Sequence, residues 1–447
     1  MSQYADGIRN ALSGGPRSAR QLLEKLEISQ PTLSRALAAQ TTEVVRIGAG
    51  PSIQYALRDG ARGLPDIPVY RVDAAGQIAR LGILVPVRPE SFVMQEDAGA
   101  AVYSEGLPWW LFDMLPQGYL GRAYCARYAS GLGLPDRLSD WSDTHALKAL
   151  LTHGHDVVGN LLLGDVARSR FLEASHCSPI AADQKPEVYA RLAREAARGE
   201  IPGSSAGGEQ PKFTAYAMTP EGARHVLVKF SEAEEGPVSE RWRDLLLAEH
   251  LALETLRAAG IPSSTTRVID SGAQRFLEVD RFDRIGALGR RALFSLTALD
   301  AAFVGAASEP WPVIATRLAE GRHVRKEAAS TTALLWAFGI LIGNSDMHGG
   351  NLSFVTEDGR PYDIAPAYDM SPMALAPRSG GGIPNALAAA NIHACVSNQI
   401  WRDANDLART FIDRLNAEKR FSKRFETARF ALTAHVEEAG IRIGRLG

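Results

Sequence analysis

Cysteine, long apolar runs and net charge are all scarce in this sequence, and each shortage excludes a class of protein. Only three of 447 residues are cysteines (Cys125, Cys177 and Cys395), and their spacing gives neither a disulfide framework nor a zinc-binding pattern. The formal net charge of -2 argues against a surface that is basic throughout. No stretch reaches the roughly 18 apolar residues of a membrane span, and the polar N-terminus has no secretory signal. We therefore expect a cytoplasmic protein without a membrane partner.

The remaining composition is that of a globular protein with more than one domain. Hydrophobic residues make up 45% of the chain and charged residues 22%, which is ordinary for such proteins. A chain of 447 residues is too long for a single core, so its length predicts two or three domains.

The first sixty residues carry the patterns of three short helices followed by a hairpin. Apolar spacing predicts a helix over 5–12, and Ser18 with Gln21 forms a capping-box pattern at the start of a second helix. Pro31 suits the first turn of a third helix over 30–40. Strand-like segments at 43–47 and 53–57 flank a glycine-rich turn. This order predicts a winged helix-turn-helix domain, which we call the N-terminal head.

The third helix of the head is the predicted recognition helix. Short polar side chains at its beginning are of the type that reads base edges, and nearby arginines suit DNA phosphates. The candidate DNA-binding residues are Arg17, Arg20, Gln30, Thr32, Ser34 and Arg35. A small packing or dimerisation module is the alternative. Glycines and prolines crowd into 58–68 and predict a linker, so the domain boundary is placed after residue 62.

The middle of the chain predicts a small sheet and little chemistry. Short strand patterns occur at 69–72, 82–87 and 91–94. The closely spaced Trp109 and Trp110 are typical of a core anchor. His153 and His155 lack the cysteine or glutamate neighbours of a metal site, so we predict no metal there.

A glycine-rich loop and a strand lysine come next. Residues 201–212 contain three glycines, two serines and a lysine, a composition that lets backbone N–H groups approach phosphate oxygens. The loop lacks the Walker A pattern, and an ordinary surface loop is the alternative. The following strand ends near Lys229, in the order found in protein kinases, unless this lysine is simply solvated. In a kinase-type site a glutamate of the helix over 241–258 would pair with it, and Glu249 is our candidate.

The most informative stretch is Gly343 to Phe354, between an apolar helical run and a strand-like segment. Asp346 and Asn351 have the D-x-x-x-x-N spacing of the protein-kinase catalytic loop. In that chemistry the aspartate accepts the proton of the attacking hydroxyl and the asparagine binds Mg²⁺. A second acid must complete the metal site, and both Asp363 and Asp369 are candidates. A polar turn between a buried helix and a strand is the alternative.

Four motifs in one order resemble the HipA family of bacterial serine/threonine kinase toxins. They are Ala206 to Lys212 (AGGEQPK), Val279 to Arg284 (VDRFDR), Asn344 to Asn351 (NSDMHGGN) and Ala365 to Asp369 (APAYD). The resemblance runs from about residue 69 to the C-terminus. It implies an α+β architecture in which the winged helix-turn-helix precedes a bilobal, protein-kinase-like fold with a helical C-terminal lobe. The predicted domains are 1–62 (the head), 63–280 (the N-lobe) and 281–447 (the C-lobe). Apolar periodicity predicts helices over 400–417 and 419–439 of the C-lobe.

The resemblance also implies roles for individual residues. Asp346 becomes the catalytic base, with His348 beside it in the catalytic loop, and Asn351 and Asp369 become the Mg²⁺ ligands. The implied ATP-binding residues are Ala206, Gly207, Gly208, Gln210 and Lys212 of the loop, the phosphate-binding Lys229, and Asp280, Arg281 and Phe282 of the adenine hinge. Ser204 or Ser205 occupies the place of the family's autophosphorylated, inactivating serine. A phosphate there, with about −2 charge, could not remain beside those of ATP.

The implied function is that of an ATP- and Mg²⁺-dependent serine/threonine protein kinase toxin that causes growth arrest or persistence. By the same resemblance, its protein substrate is of the aminoacyl-tRNA synthetase class, and its partner is a HipB-like antitoxin. The chain departs from the usual family pattern by carrying its own predicted DNA-binding head, and in this it resembles a longer subgroup of the family. The head suggests either autoregulation through operator binding or a built-in restraint of toxicity, and it puts the need for a separate antitoxin in doubt. Two other functions fit the same motifs: a transcription regulator whose kinase-like body only binds nucleotide, and a Mg²⁺-dependent nuclease acting on DNA.

Overall fold

A computed structural model of the protein describes residues 4–48, 52–174, 178–197, 210–378 and 380–446. The predicted loop residues Ala206, Gly207 and Gly208 and the predicted autophosphorylation sites Ser204 and Ser205 lie outside these ranges. Within the described ranges, no helix combines the length and the apolar character needed to cross a membrane.

The N-terminal head folds around a small apolar core. Its elements are α1 (Ala5–Leu12), β1 (Arg17–Ser18), α2 (Ala19–Leu26), α3 (Gln30–Ala38), β2 (Val44–Ile47) and β3 (Gln54–Leu57), with strand order β1-β3-β2. Ile8, Leu22 and Leu33 are fully buried between them. The capping box is confirmed, because Gln21 N–H donates to the Ser18 hydroxyl and Ser18 N–H donates to the Gln21 side chain. The three helices and the hairpin are confirmed, whereas the two-residue strand β1 was too short to leave a pattern.

A five-stranded antiparallel sheet forms the middle of the chain. Its strands are β4 (Ile67–Val72), β5 (Ile78–Val87), β6 (Ser91–Glu96), β7 (Ala101–Ser104) and β8 (Leu161–Leu163), in the order β7-β6-β5-β4-β8. The accompanying helices are α4 (Gly118–Tyr128), α5 (Asp143–His153) and α6 (Gly164–Ala174). The three strands predicted from the sequence are confirmed. Trp109 anchors a core as predicted, with its ring 5.0 Å from that of Phe294.

The segment predicted to be a linker is folded onto this sheet, so that interpretation was wrong. Buried Asp59 pairs with Arg62 (2.9 Å), whose guanidinium lies 4.6 Å from the centre of the Phe92 ring and donates to the Ser91 carbonyl oxygen (2.8 Å). The head and the sheet also share a single apolar cluster made of Val45, Ile47, Ala56, Val85, Val87 and Val93. The glycines and prolines of this segment indicate turns of the chain. The ion pair between Asp59 and Arg62 that holds the segment could not be predicted from its composition.

A second antiparallel sheet follows α7 (Lys185–Ala197). Its strands are β9 (Lys212–Thr219), β10 (Gly222–Phe230), β11 (Thr266–Ser271) and β12 (Gln274–Asp280), in the order β11-β12-β10-β9, and α8 (Pro237–Ala258) packs on it. Because β10 lies between β9 and β12, Lys229 near its end is enclosed by neighbouring strands.

The C-terminal part is mainly helical and contains the largest apolar core. Its elements are β13 (Arg284–Ile285), β14 (Gly289–Arg290), β15 (Ala292–Ser295), α9 (Leu296–Phe303), α10 (Trp311–Glu320), α11 (Lys326–Leu341), β16 (Ser353–Thr356), β17 (Asp363–Ile364), α12 (Asn398–Ala417) and α13 (Glu426–Ile443). The core joins α8 to α11, α12 and α13, so the helix beside the second sheet is anchored in the C-terminal part.

One predicted helix begins later than expected. The pattern over 419–439 predicted a continuous helix, but α13 starts only at Glu426. The Ser422 hydroxyl and N–H both donate to the Asp244 carboxylate (2.6 and 2.9 Å), and the same hydroxyl caps a short 3₁₀ turn by accepting from Phe425 N–H. This contact with α8 displaces the helix start.

Candidate active site

Lys229 and Glu249 form a buried ion pair between the second sheet and α8. Lys229 Nζ donates to both Glu249 carboxylate oxygens (2.6 and 2.8 Å), and the two side chains are 3% and 1% exposed. Burial alone would lower the pKa of Lys229, but the carboxylates of Asp369 and Glu249 outweigh it and raise that pKa. Burial raises the pKa of Glu249 against the pull of Lys229. The predicted pairing is confirmed.

Asp369 reaches the same ammonium group from the C-terminal part. Its carboxylate accepts a hydrogen bond from Lys229 Nζ. Burial would raise the pKa of Asp369, but Lys229 and Lys212 hold it below its ordinary value. Asp363, the other candidate for the second acid, is exposed and pairs with Arg325 (2.6 Å). Of the two acids, Asp369 is therefore the one that meets the lysine.

The backbone of Asp369 is itself unusual. It has φ of 53°, in the left-handed region that residues other than glycine rarely occupy. Such conformations persist where the surroundings hold them, and they cluster at functional sites. Asn344 supplies part of that hold, because its Nδ2 donates to the Asp369 carbonyl oxygen (3.1 Å).

Asn344 also ties Asp369 to the predicted catalytic loop. Its Oδ1 accepts a hydrogen bond from the Asp346 N–H (3.0 Å), and the side chain is buried. Asn344 therefore fixes the backbones of both acids relative to each other. The motif contained this residue, but its spacing gave no sign of the bridge, because Asp369 lies far along the chain.

The loop after α11 is ordered by its own polar side chains. Asn351 is buried and donates through Nδ2 to the Asp346 carbonyl oxygen (2.8 Å), which leaves its side-chain oxygen for a cation. The Asp346 carboxylate is 50% exposed, and its Oδ1 lies 3.8 Å from His348 Nε2. The other ring nitrogen of His348 accepts from Gly350 N–H (3.0 Å). Asp346 thus presents a half-exposed carboxylate on a fixed backbone.

These groups line a cavity of about 520 Å³. The predicted site residues on its wall are Lys212, Lys229, Asp280, Arg281, Phe282, Asp346, His348, Asn351 and Asp369. A cavity of about 170 Å³ shares Lys212, Lys229, Asp346 and Asp369 with it and also includes Gln210. The described residues that were assigned to ATP, Mg²⁺ and catalysis are therefore brought together by the fold.

The sequence did not reveal two parts of this wall. Phe112, Gln117 and Val158 come from the middle of the chain and also line the larger cavity. Tyr368 stands beside them, with its hydroxyl donating to the Gly350 carbonyl oxygen (2.8 Å) and its ring 5.6 Å from that of Phe282. Only the tertiary fold brings these residues to the site.

Asn351 and Asp369 are the side chains that could hold a Mg²⁺ ion. Mg²⁺ is commonly bound by one or two carboxylates together with waters and substrate phosphates. In the part of the chain that the structure describes, no cluster of three or more His, Cys, Asp or Glu residues is arranged to hold a metal. The small set of oxygen donors at this site suits an ion shared with a phosphorylated substrate.

The six predicted DNA-binding residues differ in availability. Those exposed on α3 are Gln30, Ser34 and Arg35. Arg17 Nε donates to the Ala11 carbonyl oxygen (2.6 Å), and Arg20 Nε pairs with Glu24 (2.8 Å). Thr32 is half-buried. Arg35 Nε likewise donates to the Pro31 carbonyl oxygen (3.3 Å), and the Arg20 side chain is 88% exposed. Gln30, Ser34 and Arg35 on α3 and Arg20 on α2 are thus the exposed members of the six.

Comparison with known proteins agrees with this architecture. The sequence model of the family described as YjjJ-like toxin, middle domain, matches residues 64–172, and that of the HipA-like C-terminal domain matches residues 204–435, about half of the chain. Toxin YjjJ of Escherichia coli (strain K12) is 39% identical over 449 residues, covering 100% of both chains. The chain belongs to the HipA-like toxin family.

A solved structure of a HipA protein shares the fold. Shewanella oneidensis MR-1 HipA, in a complex with HipB and its operator DNA, matches with a TM-score of 0.52 and 15% identity, covering 85% of this chain and 97% of that one. The predicted mixed α and β, HipA-like and kinase-like fold is confirmed. The Helicobacter pylori proinflammatory kinase CtkA matches with a TM-score of 0.38 and 13% identity, over 54% of this chain and 94% of that one.

Proposed function

We propose that this HipA-like toxin is an ATP- and Mg²⁺-dependent serine/threonine protein kinase. One observation carries the proposal: Lys229, which bonds both Glu249 of α8 and Asp369 of the C-terminal part, lies on the wall of a cavity that Asp346, Asn351 and Asp369 also line. A lysine paired with a helix glutamate, next to acidic and amide metal ligands, is the arrangement by which protein kinases bind ATP phosphates.

Each residue of the site has a proposed role in the transfer of the phosphoryl group. The Asp346 carboxylate accepts the proton of the substrate hydroxyl as that oxygen attacks the γ-phosphorus. Lys229 Nζ, kept charged by its carboxylate neighbours, binds phosphate oxygens. Asn351 and Asp369 would hold a Mg²⁺ ion, which would supply positive charge to the phosphates. Asn344 holds the base and the metal ligand in register.

The backbone at 280–282 would bind the adenine. The N–H groups of Asp280 and Arg281 already donate to the Thr265 and His225 carbonyl oxygens (2.9 Å each). Among the three hinge residues, Phe282 is therefore the one whose N–H would donate to the base, and its ring would lie beside the adenine together with the Tyr368 ring.

The proposal includes two kinds of macromolecular partner. The protein substrate is of the aminoacyl-tRNA synthetase class, as the family resemblance implies. The head binds DNA as a winged helix-turn-helix, which its helix and strand order and the exposed polar start of α3 support. The Shewanella relative is seen with HipB and operator DNA. Here the head would contact the operator itself, with or without a HipB-like antitoxin, and so allow autoregulation.

Autophosphorylation is the direct test of the proposed kinase. Incubating the purified full chain with labelled ATP and Mg²⁺ is expected to place phosphate on Ser204 or Ser205, as read by mass spectrometry, and EDTA is expected to prevent it. Separate Ser204→Ala and Ser205→Ala variants identify the acceptor. A chain that binds ATP but transfers phosphate neither to itself nor to any protein of a host extract would favour the regulator that only binds nucleotide. Plasmid cleavage with Mg²⁺ and no ATP would favour the nuclease.

Reversing the charge of Arg35 tests DNA binding by the head. Arg35→Glu is expected to weaken binding to promoter DNA of its own gene by about tenfold or more and to reduce the slope of affinity against salt by about one, because a phosphate contact is lost. Fluorescence anisotropy at two salt concentrations measures both effects. Arg445→Glu, the same change at an exposed C-terminal position, is the matched control. Equal affinity of the two variants would assign the head to packing or dimerisation.

A further inference from the structure

A separate cavity of about 240 Å³ lies between the middle of the chain and the second sheet. Its lining includes His155 and Phe171 from the middle of the chain, Tyr216 and His225 from the second sheet, and Arg284 and Arg290 from β13 and β14. It shares no lining residue with either cavity of the candidate active site. We call it the Arg290 cavity.

The charges around the Arg290 cavity do not balance. Arg281 Nη1 pairs with Asp156 (2.9 Å), and Arg284 Nη1 pairs with Asp283 (2.6 Å). Asp156 also lines the cavity, but it accepts a second pair from Arg284 Nη2 (2.9 Å), so two arginines neutralise its carboxylate. Two carboxylates are thus matched by two guanidinium groups, and Arg290 is the surplus cation of the cluster.

Arg290 is poorly satisfied as well as unmatched. Its side chain is buried, with 4% of the residue exposed, and its guanidinium carbon lies 4.5 Å from the centre of the Phe171 ring. Nη2 donates to the His155 carbonyl oxygen, whereas Nε and Nη1 have no hydrogen-bond partner among the described residues. Burial, together with the repulsion of Arg284, lowers the pKa of Arg290 well below its ordinary value. A buried guanidinium with unpaired N–H groups is costly, so such a group calls for an anionic partner.

We infer that the Arg290 cavity binds a phosphate group. A tetrahedral oxyanion offers acceptors in several directions and so can engage a guanidinium and a nearby imidazole at once. His155 stands on the cavity wall, and its Nδ1 has no partner in the described part of the chain. Burial lowers the pKa of His155 and of His225, which favours their neutral imidazoles, each with one N–H to donate. His225 already donates through Nε2 to the Ala287 carbonyl oxygen (2.9 Å), so His155 is the histidine that can donate to the phosphate. Inorganic phosphate and a phosphate monoester share the required chemistry. The inference does not depend on kinase activity.

Calorimetric titration of the full chain with inorganic phosphate, O-phosphoserine and acetate tests this inference. Phosphate is expected to bind and acetate to bind far more weakly. Arg290→Met is expected to weaken phosphate binding by about tenfold or more, since it removes charge-assisted hydrogen bonds. The double variant Lys229→Met/Glu249→Gln, which removes the lysine of the candidate active site, is expected to retain it. The inference is overturned if Arg290→Met retains phosphate binding while the double variant loses it, or if acetate binds as tightly as phosphate. A response to inorganic phosphate alone identifies the free ion as the ligand, and a response to both probes identifies a monoester site.

A second pair of variants leaves Arg290 in place. Thr214 lies on the cavity wall and is half-buried. Thr214→Glu places a carboxylate there, which is expected to raise the melting temperature without phosphate and to remove the response to it. The glutamine of Thr214→Gln is nearly the same size as glutamate but carries no charge, so this variant is expected to keep the response to phosphate. If both variants bind phosphate as the natural chain does, the Arg290 cavity is not the site.

Discussion

The Asp346→Asn variant is expected to lose phosphoryl transfer by about 10²–10⁴-fold, since an amide cannot accept the proton of the attacking hydroxyl. ATP affinity is expected to stay within a few fold, because Lys229, Asp369 and the hinge are untouched. Stability is expected to change by less than about 0.5 kcal/mol, since the carboxylate is half exposed. Transfer from labelled ATP, together with growth of cells that express the variant, measures the effect.

Asp363→Asn is the matched control for this change. It is the same substitution of an exposed aspartate in the neighbouring segment, and it removes only a pair with Arg325. Activity close to that of the natural chain is expected for it. If Asp346→Asn transfers phosphate as fast as Asp363→Asn does, another group is the base and Asp346 has a structural role in the loop.

Replacing Lys229 by methionine is expected to remove both ATP binding and a large part of the stability. The nearly isosteric side chain leaves the Glu249 carboxylate buried without its cation, next to Asp369. Breaking a buried pair in this way destabilises a protein by about 3–5 kcal/mol. Urea denaturation measures the stability, and calorimetry measures the binding of ATP.

The double variant Lys229→Met/Glu249→Gln separates these two effects. It is expected to recover a large part of the stability, because no orphaned carboxylate remains at position 249, and to recover none of the ATP binding. The deficit of Lys229→Met alone should shrink as the pH is lowered through the raised pKa of Glu249, because a protonated carboxyl carries no buried charge. A deficit that is unchanged between neutral and acidic pH, or ATP binding restored by the double variant, would contradict the assigned roles.

The parts of the fold with strong local patterns were predictable. Helical periodicity, the Ser18–Gln21 capping box and the strand patterns gave the three helices and the hairpin of the head and three of the five strands of the first sheet. The spacing of Asp346 and Asn351 belongs to a loop that is held by a hydrogen bond within it, from Asn351 Nδ2 to the Asp346 carbonyl oxygen. For that reason the motif could be read without the fold.

The contacts that depend on distant segments could not be predicted. Asn344 bridges two acids through hydrogen bonds that join 344 to 369, and Phe112 reaches the large cavity from the middle of the chain. The start of α13 was misplaced because Ser422 binds Asp244 on α8. Glu249 was identified only because a kinase-type lysine demands a helix partner. The spacing of apolar residues predicts which face of a helix or strand is buried, but it does not predict which distant segment packs against that face.

The shared apolar cluster of head and first sheet affects how the DNA specificity proposed for the head could change. Val45 and Ile47 are packed against Val85, Val87 and Val93 as within one core. A chain shortened to begin after residue 62 would expose those valines to water as an apolar patch, which favours aggregation. Replacing the whole head by another domain would leave the valines of the sheet without their packing partners. Such a replacement is therefore disfavoured in evolution and in protein engineering. New operator preferences of the proposed DNA-binding head would instead have to arise by substitution on the outer face of α3, while Val45, Ile47 and Ala56 stay complementary to the sheet.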